Sequence, residues 1–251
     1  MTFAELQLRI QKAKDLDFGD IFNKSIDLFK KVWVQGLLMM LITIALMIPF
    51  YLIMYLPLIG IGLLEGDMDA FSQDPELLFM IPFILLMLVF SVFAVAIVFG
   101  LKASFYRICK LKDLNEAGSD DYFYYLKRPH LGKVFKLSLI TLGISILATL
   151  LCVLPIIYVA VPIAIMNVVF AFNPELSATD IMKASFNLGN KKWLITFGLM
   201  FIAGLLAEIV GFLMCFVGIF ATASFAYIPI YFIYKESIGF EDSILVPDTE
   251  Q

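Results

Sequence analysis

Asp17-Phe-Gly-Asp-Ile-Phe-Asn-Lys-Ser-Ile-Asp-Leu-Phe-Lys-Lys-Val-Trp33 returns 160 residues later as Ser177-Ala-Thr-Asp-Ile-Met-Lys-Ala-Ser-Phe-Asn-Leu-Gly-Asn-Lys-Lys-Trp193. Six positions are identical: Asp20/Asp180, Ile21/Ile181, Ser25/Ser185, Leu28/Leu188, Lys31/Lys191 and Trp33/Trp193. The chain has two tryptophans, and each closes one copy directly ahead of a long apolar run. Asp17 and Ser177 suit a helix N-cap and have an acid three positions on, the spacing of a capping box with Asp in place of the usual Glu or Gln. Behind the first cap, Ile21, Phe22, Ser25, Ile26, Phe29 and Val32 recur at helical spacing, with Asn23, Lys24, Asp27, Lys30 and Lys31 opposite. The second copy sets Ile181, Met182, Ser185, Phe186 and Leu188 against Lys183, Asn187, Asn190 and Lys191. Lysine heads stay at lipid headgroups and indoles prefer the membrane interface. Each unit therefore reads as a short amphipathic helix lying on a membrane and feeding a spanning helix, anchored by Lys31 and Trp33 or by Lys191 and Trp193.

Composition supports the membrane reading. The chain is 61% hydrophobic and 16% charged, with mean hydropathy +0.93, whereas roughly a quarter of the residues in a soluble domain are charged. The sequence predicts an all-α polytopic transmembrane bundle in one integral membrane domain, residues 1–251. Residues 1–33 are amphipathic and show no apolar core ahead of a small-residue cleavage site, so no cleavable signal is expected. Hydrophobicity and an acidic pI of about 5.0 argue against nucleic acid as a partner.

Spans are expected at roughly 35–56, 79–101, 135–154, 156–172, 194–212 and 216–234, as three hairpins. Pro49 suggests a kink in the first, and Gly60-Ile-Gly62 a turn near the outer surface. Leu137 to Phe172 is 36 residues without a charge. As one helix it would be about 54 Å long, against a hydrocarbon core of about 30 Å, so it must turn, near Cys152-Val-Leu-Pro155. Leu194 to Tyr234 is interrupted by Glu208 alone and must turn near Gly211 to Gly218. The 18 Lys and Arg fall before the first span, between the second and third, at Lys183, Lys191 and Lys192, and at Lys235. Six spans put all of these on one side, the cytoplasmic side by the positive-inside rule, and leave the acidic 57–76 stretch outside. Both termini are then cytoplasmic. Ser119-Asp-Asp followed by Tyr122 to Lys127 reads as a degenerate third amphipathic unit, ended by Pro129.

Little in the sequence carries chemistry. The single histidine, His130, reads as interfacial, since a zinc site or a His-based acid–base pair needs more than one. No phosphate loop, His-Glu-x-x-His motif or nucleophile elbow is present, so no catalytic residue, metal or cofactor is expected. Three scattered cysteines give no metal spacing or disulfide framework, although Cys152 and Cys215 both fall near expected outer turns. Ser138, Thr141, Ser145, Thr149 and Cys152 recur at three- and four-residue steps in the third span, a stripe suited to helix packing. Asn167 needs a buried partner. Glu208, between Gly204 and Gly211, is the one charge inside the spans and a functional candidate; the alternative places it among the outer headgroups.

Asp20-Ile-Phe-x-Lys-Ser25 before the first span, Ser185-x-x-Leu188 with its lysine-tryptophan exit, and the Ala-rich Ala221 to Tyr234 resemble a family of bacterial six-span integral membrane proteins. That family is related to the membrane part found beside some glycerophosphodiester phosphodiesterases. The phosphodiesterase barrel itself has no counterpart here, so the resemblance brings no catalytic residue. A non-enzymatic membrane protein that organises or assists a membrane-protein partner, or its own oligomer, in the lipid bilayer is the expected function. The competing expectation is a small-solute permease using Glu208, Asn167, Ser145 and Thr149.

Overall fold

The computed structural model describes residues 1–65, 77–151, 153–214 and 217–240, and among them the chain is helical with no strand. Helix α1 (Phe3–Lys12) is short and amphipathic. Helices α2 (Phe18–Glu65) and α3 (Leu77–Asp113) form the longest pair, antiparallel, with Phe50 against Phe90 and Phe105 reaching Gly36. Helices α4 (Leu131–Leu150) and α5 (Val153–Phe172) follow as a hairpin, then α6 (Ala178–Lys191) and α7 (Trp193–Leu213). The chain ends in α8 (Val217–Thr222), a 3-10 stretch Ala223–Tyr227, and α9 (Ile228–Ser237). Five helices are long and apolar enough to cross a membrane.

Several boundaries differ from the sequence reading. The first amphipathic unit does not precede a separate span. It is the opening of α2, which runs without interruption through Pro49 and Gly60-Ile-Gly62 to Glu65, about 72 Å at the α-helical rise. The second unit does end, at Lys192, where φ is −116°. Gly189-Asn190 stands there in place of Phe29-Lys30, and both residues weaken a helix interior. The expected last span, 216–234, is broken by its 3-10 stretch. Tyr122 to Lys127 forms only a 3-10 turn, Tyr124–Leu126, not an amphipathic helix, because Pro129 follows too closely for one to extend. The α4–α5 turn lies at Leu151, just ahead of the expected Cys152-Val-Leu-Pro155, of which Val153, Leu154 and Pro155 already open α5. Cys152, Cys215 and 66–76 lie outside the described residues.

The two repeated units match in local detail. Asp17 caps the amide of Asp20 at 2.7 Å, and Ser177 that of Asp180 at 3.2 Å. Ser25 and Ser185 are fully buried, and each donates its hydroxyl to the carbonyl four residues earlier at 2.7 Å. Ile21, Ile181, Leu28 and Leu188 are buried beside them. This half of the molecule holds the core, where α2, α3, α5 and α9 meet around Phe105, Tyr106, Phe170, Tyr231 and Tyr234. The other ends of α2 to α5 and α7 expose large apolar side chains, among them Ile48, Leu85, Leu150 and Leu213.

Candidate functional site

The basic half is tied together by cations, among them Lys191, which the sequence reading assigned to headgroups. Lys191 donates to the carbonyls of Ile10 at 3.0 Å and Gln11 at 2.6 Å, closing the C-terminal end of α1, whose last carbonyls lack helical donors. Lys192 is buried and donates to the Lys14 carbonyl at 2.6 Å and to Asp15 at 3.2 Å. Arg9 binds the Ile238 carbonyl past α9 at 3.1 Å and pairs with Glu5. Asp113, at the end of α3, accepts from Tyr231 at 2.7 Å and Lys235 at 2.6 Å. Between α3 and α4, the Lys127 ammonium on the Asp121 carboxylate at 2.6 Å holds that carboxyl below its ordinary value. Burial pushes the Tyr122 phenol up to about 12. These are structural roles. Sequence reasoning missed Lys192 and Asp113, because only the folded chain shows which carbonyls and acids they meet.

Trp193 is also not a simple headgroup anchor. Its indole N–H donates to the Tyr158 carbonyl at 3.0 Å, and its ring stacks on Phe197 at 4.9 Å. Trp33, by contrast, is 46% exposed and Lys31 is exposed. His130 precedes α4 with its ring between Tyr124 and Tyr125, 5.5 and 5.3 Å away.

Glu208, Asn167, Ser145 and Thr149 are not brought together. Asn167 on α5 is buried, and its Oδ1 has no hydrogen-bond partner among the described residues. Thr149 on α4 is exposed and donates to the Ser145 carbonyl at 2.8 Å. Earlier in that stripe Ser138 is buried and Thr141 reaches the Met166 sulfur on α5, as helix packing predicts. Glu208 belongs to α7, which packs chiefly on α8, the 3-10 stretch and α9. The inner face of α7 is Thr196, Leu199, Ala203, Ala207 and Gly211. Glu208 points the other way and is exposed, with exposed Leu205, Ile209 and Phe212 around it. One turn before it, a Cβ added at Gly204 would meet nothing within 4 Å. Glu208 has no hydrogen bond or ion pair among the described residues.

Among those residues no group of three or more His, Cys, Asp or Glu side chains is placed to hold a metal ion. No known protein family, curated protein or solved structure matches this chain.

Proposed function

We propose that this chain is a non-enzymatic multi-pass protein of the bacterial cytoplasmic membrane that holds or assists a partner within the bilayer, with both termini cytoplasmic. The carrying observation is Glu208, exposed on the apolar outer face of α7 beside the notch at Gly204. A carboxyl among lipid chains is costly and is ordinarily met by a counterpart. Small residues let a second helix approach closely enough to supply one. A spanning helix with a hydrogen-bond donor, from another protein or a second copy, fits this face. A solute route is less favoured, since it would need Glu208 on the same path as Asn167, Ser145 and Thr149.

Sidedness rests on charge. The basic segments lie where each hairpin comes back, so each hairpin returns to the side it left. Six crossings satisfy this, and so does a hairpin that dips into one leaflet and comes back.

A photo-crosslinking residue in place of Leu205 or Phe212 should give a protein adduct of discrete added mass in native membranes. The same residue at exposed Leu147 on α4 should give lipid adducts only. The α7 adduct should vanish in Glu208→Leu. Lipid adducts at all three positions, or an adduct indifferent to Glu208, overturn the reading.

A further inference from the structure

Helix α6 marks the level of the bilayer surface beside the α4–α5 hairpin. Its residues Lys183, Asn187, Asn190 and Lys191 keep exposed surface, with Asn187 bonded to Gln7 and Lys191 to the end of α1, while Ile181, Ala184, Ser185 and Leu188 are buried against the protein. A helix with that outward face belongs among headgroups and water, because amide and ammonium groups facing hydrocarbon are expensive. Yet α6 reaches the middle of the hairpin. A Cβ on Gly189 would lie 3.2 Å from the Pro162 backbone. Tyr158 donates its hydroxyl to Asn190 at 2.6 Å and receives the Trp193 indole at its carbonyl. Lys183 and Met182 share a groove with Ile144 of α4.

If α4 and α5 crossed the bilayer from their ends at Leu131 and Phe172, these contacts would lie about 15–21 Å along the helices. The exposed polar face of α6 would then sit near the bilayer centre. With that face at the surface, only Ile144 to Leu151 and Val153 to Pro162 remain above it, about 10–14 Å of helix. That is less than half of a hydrocarbon core of about 30 Å, and tilting the hairpin only makes it shallower.

The composition of the tip agrees. Leu150, Leu151 and Leu154 are 77%, 62% and 78% exposed, and no charged or amide side chain occurs between Gly143 and Met166. The sequence from the end of α2 to the start of α3, by contrast, is acidic, with Glu65, Asp67, Asp69, Asp74 and Glu76. We infer that the α4–α5 hairpin enters a single leaflet and returns without crossing, so that its leucine tip is a lipid anchor inserted from the α6 side. This replaces two of the six crossings expected from the sequence and leaves every basic segment on its assigned side. Only the naming of that leaflet as cytoplasmic rests on the sidedness proposed above.

The test places a single cysteine at Leu151 or Leu154, both exposed, in a full-length chain whose native cysteines are replaced. Neither should react with a membrane-impermeant maleimide in intact spheroplasts or in inverted vesicles. Spin-labelled with a permeant reagent and reconstituted in phosphatidylglycerol–phosphatidylethanolamine vesicles, both should be accessible to oxygen and not to a water-soluble nickel relaxant. Their depth should be roughly 10–14 Å below the headgroups on the α6 side. Labelling from the side opposite α6, or a depth in the far leaflet, overturns the inference. Protection from oxygen as well as from nickel also overturns it, because the tip would then be covered by protein and not lipid.

Discussion

Pro162 has no amide hydrogen, so the carbonyl of Tyr158 one turn earlier in α5 loses its helical donor. Trp193 supplies a replacement from the start of α7, at 3.0 Å. The sequence reading assigned both tryptophans the same anchoring role from their shared position behind lysines. That reading is incomplete for Trp193, because the proline that gives the indole its partner lies in another helix. Trp193→Phe keeps a ring to stack on Phe197 and removes only the donor, which should cost about 1 kcal/mol of stability. The loss should appear as a lower thermal unfolding midpoint in detergent, while Trp33→Phe leaves the midpoint unchanged. In a Pro162→Ala background the restored amide satisfies Tyr158, so the Trp193→Phe penalty should shrink. Equal penalties in both backgrounds would show that the indole bond is not tied to the proline.

Between elements, close approach is bought with glycine. A Cβ at Gly36 would fall 2.0 Å from the Ser224 Oγ and 2.5 Å from its Cβ, so α2 and the 3-10 stretch meet there with no room for a methyl group. The broken last segment of the chain is seated on α2 at this point, with Phe225 between Phe22 and Phe29 at 6.0 and 5.3 Å. Gly36→Ala should destabilise the protein by about 1–3 kcal/mol, the usual range for an overpacked core. Removing the obstructing atoms in the double variant Gly36→Ala/Ser224→Gly should recover part of that loss in a double-mutant cycle, also read in detergent unfolding. Additive losses would mean that the two residues do not meet. Neither glycine-dependent contact, Gly36 on Ser224 or Gly189 on Pro162, was legible in the sequence, where a glycine in an apolar run is equally compatible with open space, as at Gly204.

At the scale of the whole molecule, the arrangement of charge predicts which surfaces face which compartment. Single cysteines at Asp69 and Ala117, in a cysteine-free background, should differ with an impermeant maleimide. Asp69→Cys should label in intact spheroplasts and Ala117→Cys only in inverted vesicles. The reverse pattern, or equal labelling, would overturn the cytoplasmic assignment of both termini. Ala117 is exposed beyond the end of α3, so burial would not explain its protection.

The sequence by itself determined what depends on neighbours within a few turns. It set the helical class, the caps at Asp17 and Ser177, the buried serines and the need for a turn within the long run from Leu137 to Phe172, because capping chemistry, helical spacing and run length are local quantities. It did not determine which face of a uniformly apolar helix turns inward. In α7 almost every residue is apolar, so no stripe distinguishes inside from outside, and Glu208 could be placed by sequence in a cavity or at a surface. Tertiary packing decided that, by setting Ala203, Ala207 and Gly211 against the last segment and leaving Glu208 outside. It likewise decided that α6 crosses the middle of the α4–α5 hairpin, since a contact between Gly189 and Pro162 depends on two surfaces fitting and leaves no periodicity in either helix.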